Sequence, residues 1–550
     1  MSTMTTKNVA APTTAKPIHD YTPYLTAYSR AREESAISAL APVAELPGMI
    51  SFAGGAPNPG TFEITNLDLT FKNGTTSKLG EKTTQAALQY GATPGMPDLL
   101  AFFEQLQLRV HGAPKYANPH LKRRILIGNG SQDLLSKAMA ALVKPGDSVL
   151  VEARCYPGML SILDPMVKTM SVKLVAVPID EDGIDPTALA AILDAWPARK
   201  RKPHVLYTVP TSQNPTGATT PLARRRAVYA IAQRHDFLVL EDDPYVYLQY
   251  TLPADAVAEQ QQQKKQPLVD APPHPASAPS RNEADLALGA RFAATLVPSY
   301  MSLDTDGRVL RFDSLSKVVG GGIRIGFLTG PAPIYERLEF DVQATSLQPT
   351  SLAQIIVLAL VRDVWHSMPD LFLAHTARLS AFYRSRRDAM LRAMSAARLV
   401  EDGLVEMANV PTAGMFLWFK LTTVKDALAL ARGPAMDRKV LLLPGIHCVP
   451  SVKPGEKDAY VRATYALATE EMMVEGMKRL RECIDLAMRN EWLQQRQQEE
   501  EERAGRVSQL TIAVARGAQT VVENLMGTLL CGLADSRDAD EDEDVKRPLK

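Results

Sequence analysis

The sequence predicts an α/β fold built on a mainly parallel sheet, followed by a smaller α+β unit. Short apolar and β-branched runs recur as ILI (125–127), SVLVE (148–152), LVAVP (174–178), HVLYTV (204–209), FLVLE (237–241) and VLRFD (309–313). Helix-like segments such as 131–143 and 221–235 lie between them, and fully apolar strands alternating with helices fit a sheet covered on both faces. From about Ile334 long helical patterns take over, through 351–397. The strand-like MFLWFK (415–420) and DAYVRATYA (458–466) then precede a helix near 469–490, which gives the second unit.

The flanks differ in character. The first twenty residues read as a disordered tail, and a Gly/Pro-rich loop, SFAGGAPNP (51–59), opens the compact part. The FLVLE strand is expected to run to Tyr250, where composition shifts abruptly. Residues 253–290, with EQQQQKKQP and DAPPHPASAPS, have little to bury and read as a mobile surface insertion, with order resuming near Phe292. After the last helix come a Gln/Glu-rich run (494–502), an amphipathic stretch (507–533) and the acidic DADEDED.

Composition excludes several classes. At 550 residues, about two to four domains are expected from length. Lys plus Arg equals Asp plus Glu at 61 each, so charge gives no reason to expect a nucleic-acid partner. Cys155, Cys448, Cys483 and Cys531 show no Cys-x-x-Cys spacing, so neither a disulfide framework nor a metal site is expected. No apolar run approaches the ~20 residues needed to span a bilayer. The N-terminus is rich in Ser and Thr, but its first arginine is Arg30, a weak mitochondrial presequence; the cytoplasm is the default location.

Five elements carry candidate chemistry. In ILIGNGSQDLL a strand ends, Gly128 and Gly130 allow a turn, and Ser131 and Gln132 open a helix whose free N–H groups suit a phosphate; a helix cap without a ligand fits equally. TVPTSQNPTGATT (208–220) holds Asn214 extended before Pro215 at a strand end, or is a plain strand-to-helix loop. FLVLEDDPYVYL sets two acids at a strand's carboxyl edge, where Asp242 and Tyr245 can face one ligand; a solvated acid pair is the alternative. DSLSKVVGGGIRIGFLTG (313–330) places Lys317 after Ser314 and Ser316, where a lysine of lowered pKa can form an imine, although most lysines are exposed and inert. In the same segment Arg324, in an apolar strand, calls for a buried anion such as a phosphate. DAYVRATYA puts Arg462 in an apolar strand, to pair with a substrate carboxylate or with a core acid.

Taken in order with FAGGAPNP, QYGATPGMPDLL, AGMFLW and YVRATYA, these strings resemble the fold-type I pyridoxal-phosphate (PLP) aminotransferases. The likeness is to the branch with kynurenine, 2-aminoadipate and aromatic amino-acid aminotransferases, over roughly residues 46 to 490. It implies a three-layer large domain over 51–345, a small domain over 346–490 joined by an N-terminal segment (21–50) that covers substrate, and an extension over 491–550. It also implies pyridoxal 5'-phosphate as cofactor, carried as a Schiff base on Lys317, which then shuttles the substrate proton. Asp242 would pair with the pyridine nitrogen, and Asn214 and Tyr245 with the phenolic oxygen. Ser131, Gln132, Ser314, Ser316 and Arg324 would surround the phosphate, and Tyr156 would stack on the ring. Arg462 would clamp the substrate α-carboxylate, while Gly55 and Phe416 line the side-chain pocket. Tyr90 would reach the neighbouring subunit's site, implying a homodimer with shared sites.

The branch can place an arginine in the N-terminal cover, but EESAISALAPVAEL has none, and Arg30 and Arg32 lie earlier. The implied reaction passes the amino group of an aromatic or related large amino acid to a 2-oxo acid. Another PLP reaction (a lyase or decarboxylase) is one alternative. A PLP-sensing regulator is the other, and the short segment ahead of SFAGG holds no basic recognition helix for one.

Overall fold

Seven runs between residues 123 and 331 form one sheet: β1 (Arg123–Gly128), β2 (Ser148–Glu152), β3 (Lys173–Val177), β4 (Val205–Thr208), β5 (Leu238–Asp242), β6 (Val309–Ser314) and β7 (Gly326–Pro331). The computed structural model describes residues 17–44, 46–53, 55–115, 121–250, 279–489 and 509. Residues up to Arg481 form one compact unit and those from Glu482 another, and both main sheets lie in the first. The strand order is β1-β7-β6-β5-β4-β2-β3, parallel except for β7, which runs against both neighbours. The reason is local: β6 and β7 are joined by short 3-10 turns, and a parallel pair would need a crossover helix. Every residue of β4 and β5 is buried, as expected of strands covered on both faces.

The helices α1 (Pro97–His111), α2 (Ser131–Leu142), α3 (Pro157–Met170) and α4 (Leu222–His235) belong to the same part of the chain. In α2 the residues Leu134, Leu135, Ala138, Met139, Ala141 and Leu142 make the buried face, a spacing of helical period. Gly128 of β1 and Ser314 of β6 both pair with Gly326, and Asp242 of β5 pairs with Phe312, so several strands present their carboxyl ends along one edge.

Three expectations need correction. The disordered tail does not take in all of the first twenty residues: Ile18 is buried and its N–H donates to the Asp306 carbonyl at 2.9 Å, while residues 1–16 lie outside the described residues. The fifth strand stops at Asp242, and the chain turns through a 3-10 segment, Val246–Leu248, instead of running to Tyr250. Pro244 lacks the N–H that a continuing ladder requires. The 253–290 stretch is not all insertion either. Helix α5 (Pro279–Thr295) buries Leu288 and Phe292 along α6 (Pro369–Ala396), and Asp285 pairs with Arg378. The Pro/Ser-rich lead-in masked that helix in the sequence; residues 253–278, and the extension apart from residue 509, lie outside the described residues.

Gly289 marks a close approach of α5 to α6, because a Cβ there would overlap the backbone carbonyl of Asp370. Gly289→Val is expected to destabilise the fold by about 1–3 kcal/mol through overpacking, read as a lower melting temperature with the site's chemistry unchanged.

The second sheet is antiparallel, in the order β8-β9-β11-β10, from β8 (Val405–Glu406), β9 (Phe416–Leu421), β10 (Leu443–Pro444) and β11 (Tyr460–Thr464). Its register sets Arg462 opposite Trp418. Among the described residues no helix is long and apolar enough to cross a membrane.

Candidate active site

A cavity of about 310 Å³ opens at the carboxyl edge of the large sheet, and β9 and β11 contribute Phe416 and Arg462 to its wall. One end is built for an anion. Gly130, at φ +88°, caps α2 without a side-chain hydrogen bond, so the N-terminal amides at Ser131 and Gln132 are not used by a cap. Arg324 lies over Gly130 and donates to Ser316 Oγ at 3.2 Å and to the Gly321 and Asn129 carbonyls at 3.2 and 3.3 Å. No carboxylate of the described residues lies within ion-pair distance of it. The expectation that Arg324 is buried in a strand is corrected. It sits at φ +51° after a 3-10 turn, exposed in this chain, and β7 begins two residues later. Ser314, the last residue of β6, lines the same end and accepts the Ser316 N–H at 3.2 Å.

Lys317 follows on a 3-10 turn and is half-buried. Its amine makes no hydrogen bond or ion pair with the described residues. Burial lowers its pKa first, and Arg324 and Arg462 lower it further against the opposing pull of Asp242. That environment favours the neutral, nucleophilic amine.

The two acids at the end of β5 divide the work. Asp242 lines the cavity; its Oδ2 accepts the Tyr207 hydroxyl at 2.7 Å, and its buried Oδ1 has no partner among the described residues. Asp243 turns into the core, bound by Arg311 and Thr211 at 3.2 Å each. Arg311 is fully buried and also grips Asp313 through two nitrogens, at 2.9 and 3.0 Å, and Glu241 at 3.2 Å. Tyr207 and Arg311 are site residues that the sequence reading above does not include. The rule that flagged Arg462, a charge inside an apolar strand, also fits Arg311 in VLRFD; nothing in HVLYTV distinguished Tyr207 from a core residue.

At the other end, Arg462 lies 4.1 Å above the Phe416 ring and donates to Asn214 Oδ1 at 2.6 Å. No carboxylate among the described residues pairs with it, so the core-acid alternative does not hold. Tyr245 packs edge-on to Phe416 at 6.0 Å, and Tyr156, the residue capping α3, completes this wall. The loop bearing Asn214 is tied down by Gln213, whose amide donates to the buried Glu152 at 2.8 Å, and its Asn214–Pro215 peptide is cis. Of the expected site residues, Gly55 and Tyr90 alone do not line the cavity; both stand on exposed backbone with few neighbours.

The sequence model for aminotransferase class I and II matches residues 70–480. The chain belongs to this family. It is 34% identical over 475 residues to the mitochondrial kynurenine/alpha-aminoadipate aminotransferase of Bos taurus, covering 84% of this chain and 99% of that protein. Among solved structures, the aromatic aminotransferase Aro9 of Candida albicans superposes with a TM-score of 0.70 at 26% identity, over 86% of this chain and 99% of that one. A Pyrococcus horikoshii kynurenine aminotransferase, solved in complex with PMP, gives 0.59 at 26% identity, over 86% and 99%.

The protein is therefore an aminotransferase, which replaces the lyase and regulator alternatives, and its cofactor is pyridoxal 5'-phosphate. The cavity of this aminotransferase fits that group. The orphan Oδ1 of Asp242 suits a protonated ring nitrogen, the α2 N-terminus with Arg324 suits a phosphate, and the unpaired amine of Lys317 suits a carbonyl.

Two buried carboxyls give the cofactor-free aminotransferase a pH dependence. Burial pushes Glu152 and Asp242 up to about 7 each. A raised carboxyl holds its proton more tightly folded than unfolded. Its contribution is present below the unfolded value of about 4 and is lost as pH rises through about 7. The buried histidines His111, His204 and His375, whose pKa values burial lowers, act in the opposite sense, so the test is differential: from about pH 5 to about pH 7.5 the melting temperature of the Glu152→Gln apoprotein is expected to fall less, or rise more, than that of the wild type.

Proposed function

We propose that this aminotransferase moves the amino group of an aromatic or related large amino acid, such as kynurenine, phenylalanine, tyrosine or 2-aminoadipate, to a 2-oxo acid such as 2-oxoglutarate by a ping-pong mechanism. The observation that carries this is the convergence on one cavity of an unpaired lysine amine, an acid with a free oxygen and an arginine without a carboxylate partner. Bound pyridoxal phosphate supplies an electron sink for charge developing at the substrate α-carbon.

The chain's own residues do the rest. Lys317 holds the cofactor and then moves the proton at the α-carbon. Asp242 keeps a positive charge on the ring nitrogen. Asn214 and Tyr245 orient the phenolic oxygen, and Tyr156 stacks on the ring. Ser131, Gln132, Ser314, Ser316 and Arg324 hold the phosphate. Arg462 binds the α-carboxylate through its planar fork.

Charge decides the side chain. Among the described residues the cations lining the cavity are Lys317, Arg324 and Arg462, and each already has a role. Arg32, in the N-terminal segment, is held by Asp341 at 2.9 Å. A second carboxylate buried without a partner is expensive, so the acceptor 2-oxoglutarate requires Arg30, Arg32 or another cation to swing in when it binds, whereas an aromatic ring needs only the apolar contact that Phe416 offers. The names of the bovine and Candida relatives fall within the same substrate class.

The enzyme is further proposed to act as a homodimer whose neighbouring copy completes each site. Tyr90 at 62% and Phe52 at 95% exposure are apolar side chains left free to meet that copy. The cytoplasm is the proposed location; the mitochondrion, named for the bovine relative, is the alternative that cell fractionation separates. Initial rates with donor and 2-oxoglutarate varied together test the reaction: parallel double-reciprocal lines are expected, and intersecting lines would contradict the ping-pong order.

A further inference from the structure

The two oxygens of Asp242 have unequal surroundings. Oδ2 accepts the Tyr207 hydroxyl at 2.7 Å, while Oδ1 is buried with no partner among the described residues. Tyr207 is fully buried in β4, where its backbone pairs with Leu240 of β5 and Val151 of β2. Sheet pairing on both sides thus fixes where its phenol lies. The neighbouring charges do not substitute for it, because Asp243, Asp313 and Glu241 are all turned toward Arg311. Among the described residues the Tyr207 hydroxyl is the one donor to the Asp242 carboxylate. Burial first, and then Asp242 itself, hold that hydroxyl protonated, so it acts as a donor throughout the working range.

Resting on the cofactor assignment above, we propose that Tyr207 is a positioning residue: its hydroxyl fixes the Asp242 carboxylate plane so that Oδ1 faces the ring nitrogen of the cofactor. Without it, both oxygens of a buried carboxylate compete for one proton, and that proton moves from the ring nitrogen toward Asp242. The ring nitrogen then loses its positive charge even though no residue touching the cofactor has changed.

The test uses holoenzyme reconstituted with cofactor carrying ¹⁵N in the ring. In the wild type the ring-nitrogen resonance is expected close to, but short of, the position of a fully protonated pyridine, because the proton is shared with Asp242. Tyr207→Phe should move it toward the neutral position and lower kcat about 10- to 100-fold, the range for losing a hydrogen bond to a charged group, with the donor KM little changed. Replacing Tyr207 by 3-fluorotyrosine, a stronger donor of nearly the same shape, should move the resonance the other way; this arm does not depend on how well the phenylalanine variant folds. Asp242→Asn separates the two layers of inference. If it shifts the resonance and neither Tyr207 replacement does, the proposal for Tyr207 is overturned. If Asp242→Asn leaves the resonance in place, the pairing of Asp242 with the ring nitrogen fails first.

Discussion

Lys317→Ala is expected to yield a folded protein without a reducible cofactor link and with essentially no turnover. The wild type should be yellow, bleach with borohydride and carry the reduced adduct on the peptide containing Lys317. Two functions are lost together in the variant, the nucleophile that holds the cofactor and the base that moves the α-proton. Proton transfer by a positioned group alone is worth about 10²- to 10⁴-fold. The surrounding structure should survive. The lysine is half-buried and makes no hydrogen bond to the described residues, so truncation strands no partner. A reducible imine in the alanine variant would move the nucleophile to another residue.

Asp242→Asn should retain the cofactor and lose activity. The amide keeps the shape and can still accept from Tyr207, but it offers no negative charge to a protonated ring nitrogen. Losing that charge-assisted bond in a buried site should cost about 2–4 kcal/mol of barrier, or about 30- to 1000-fold in kcat. Asp243→Asn is the informative contrast. It leaves Arg311 short of one of its buried partners, so its damage should appear as a lower melting temperature, because breaking a buried pair costs about 3–5 kcal/mol. A folded Asp243→Asn enzyme with the larger loss in kcat would show that the roles of the two acids are reversed.

Much of this site was legible in the sequence because its chemistry sits at strand ends, where apolar runs stop and polar residues begin. Asp242 ends β5, Ser314 ends β6 and Ser131 opens α2, and each transition is visible in the residue pattern. Arg462 was legible for a different reason, as a charge inside an apolar strand. What escaped depends on contacts between strands. Tyr207 looks like core until β4 is laid beside β5, and the division of labour between Asp242 and Asp243 follows from which of them meets Arg311. Helix α5 escaped because its burial against α6 is a tertiary fact, hidden behind a Pro-rich lead-in. Arg324 was recognised for its charge and misplaced in its backbone, since the turn at Gly321–Ile323 ends before β7 begins.

Substrate selection brings the geometry to one comparison. With Arg462 proposed to serve the α-carboxylate of every donor, discrimination rests on a side-chain region that has no cation to spare among the described residues. The direct measurement is kcat/KM for phenylalanine, tyrosine, kynurenine and 2-aminoadipate, each with 2-oxoglutarate as the common acceptor. Higher values for the aromatic donors, kynurenine included, are the expected result; a clear preference for 2-aminoadipate would contradict it and would require a further cation to enter the site.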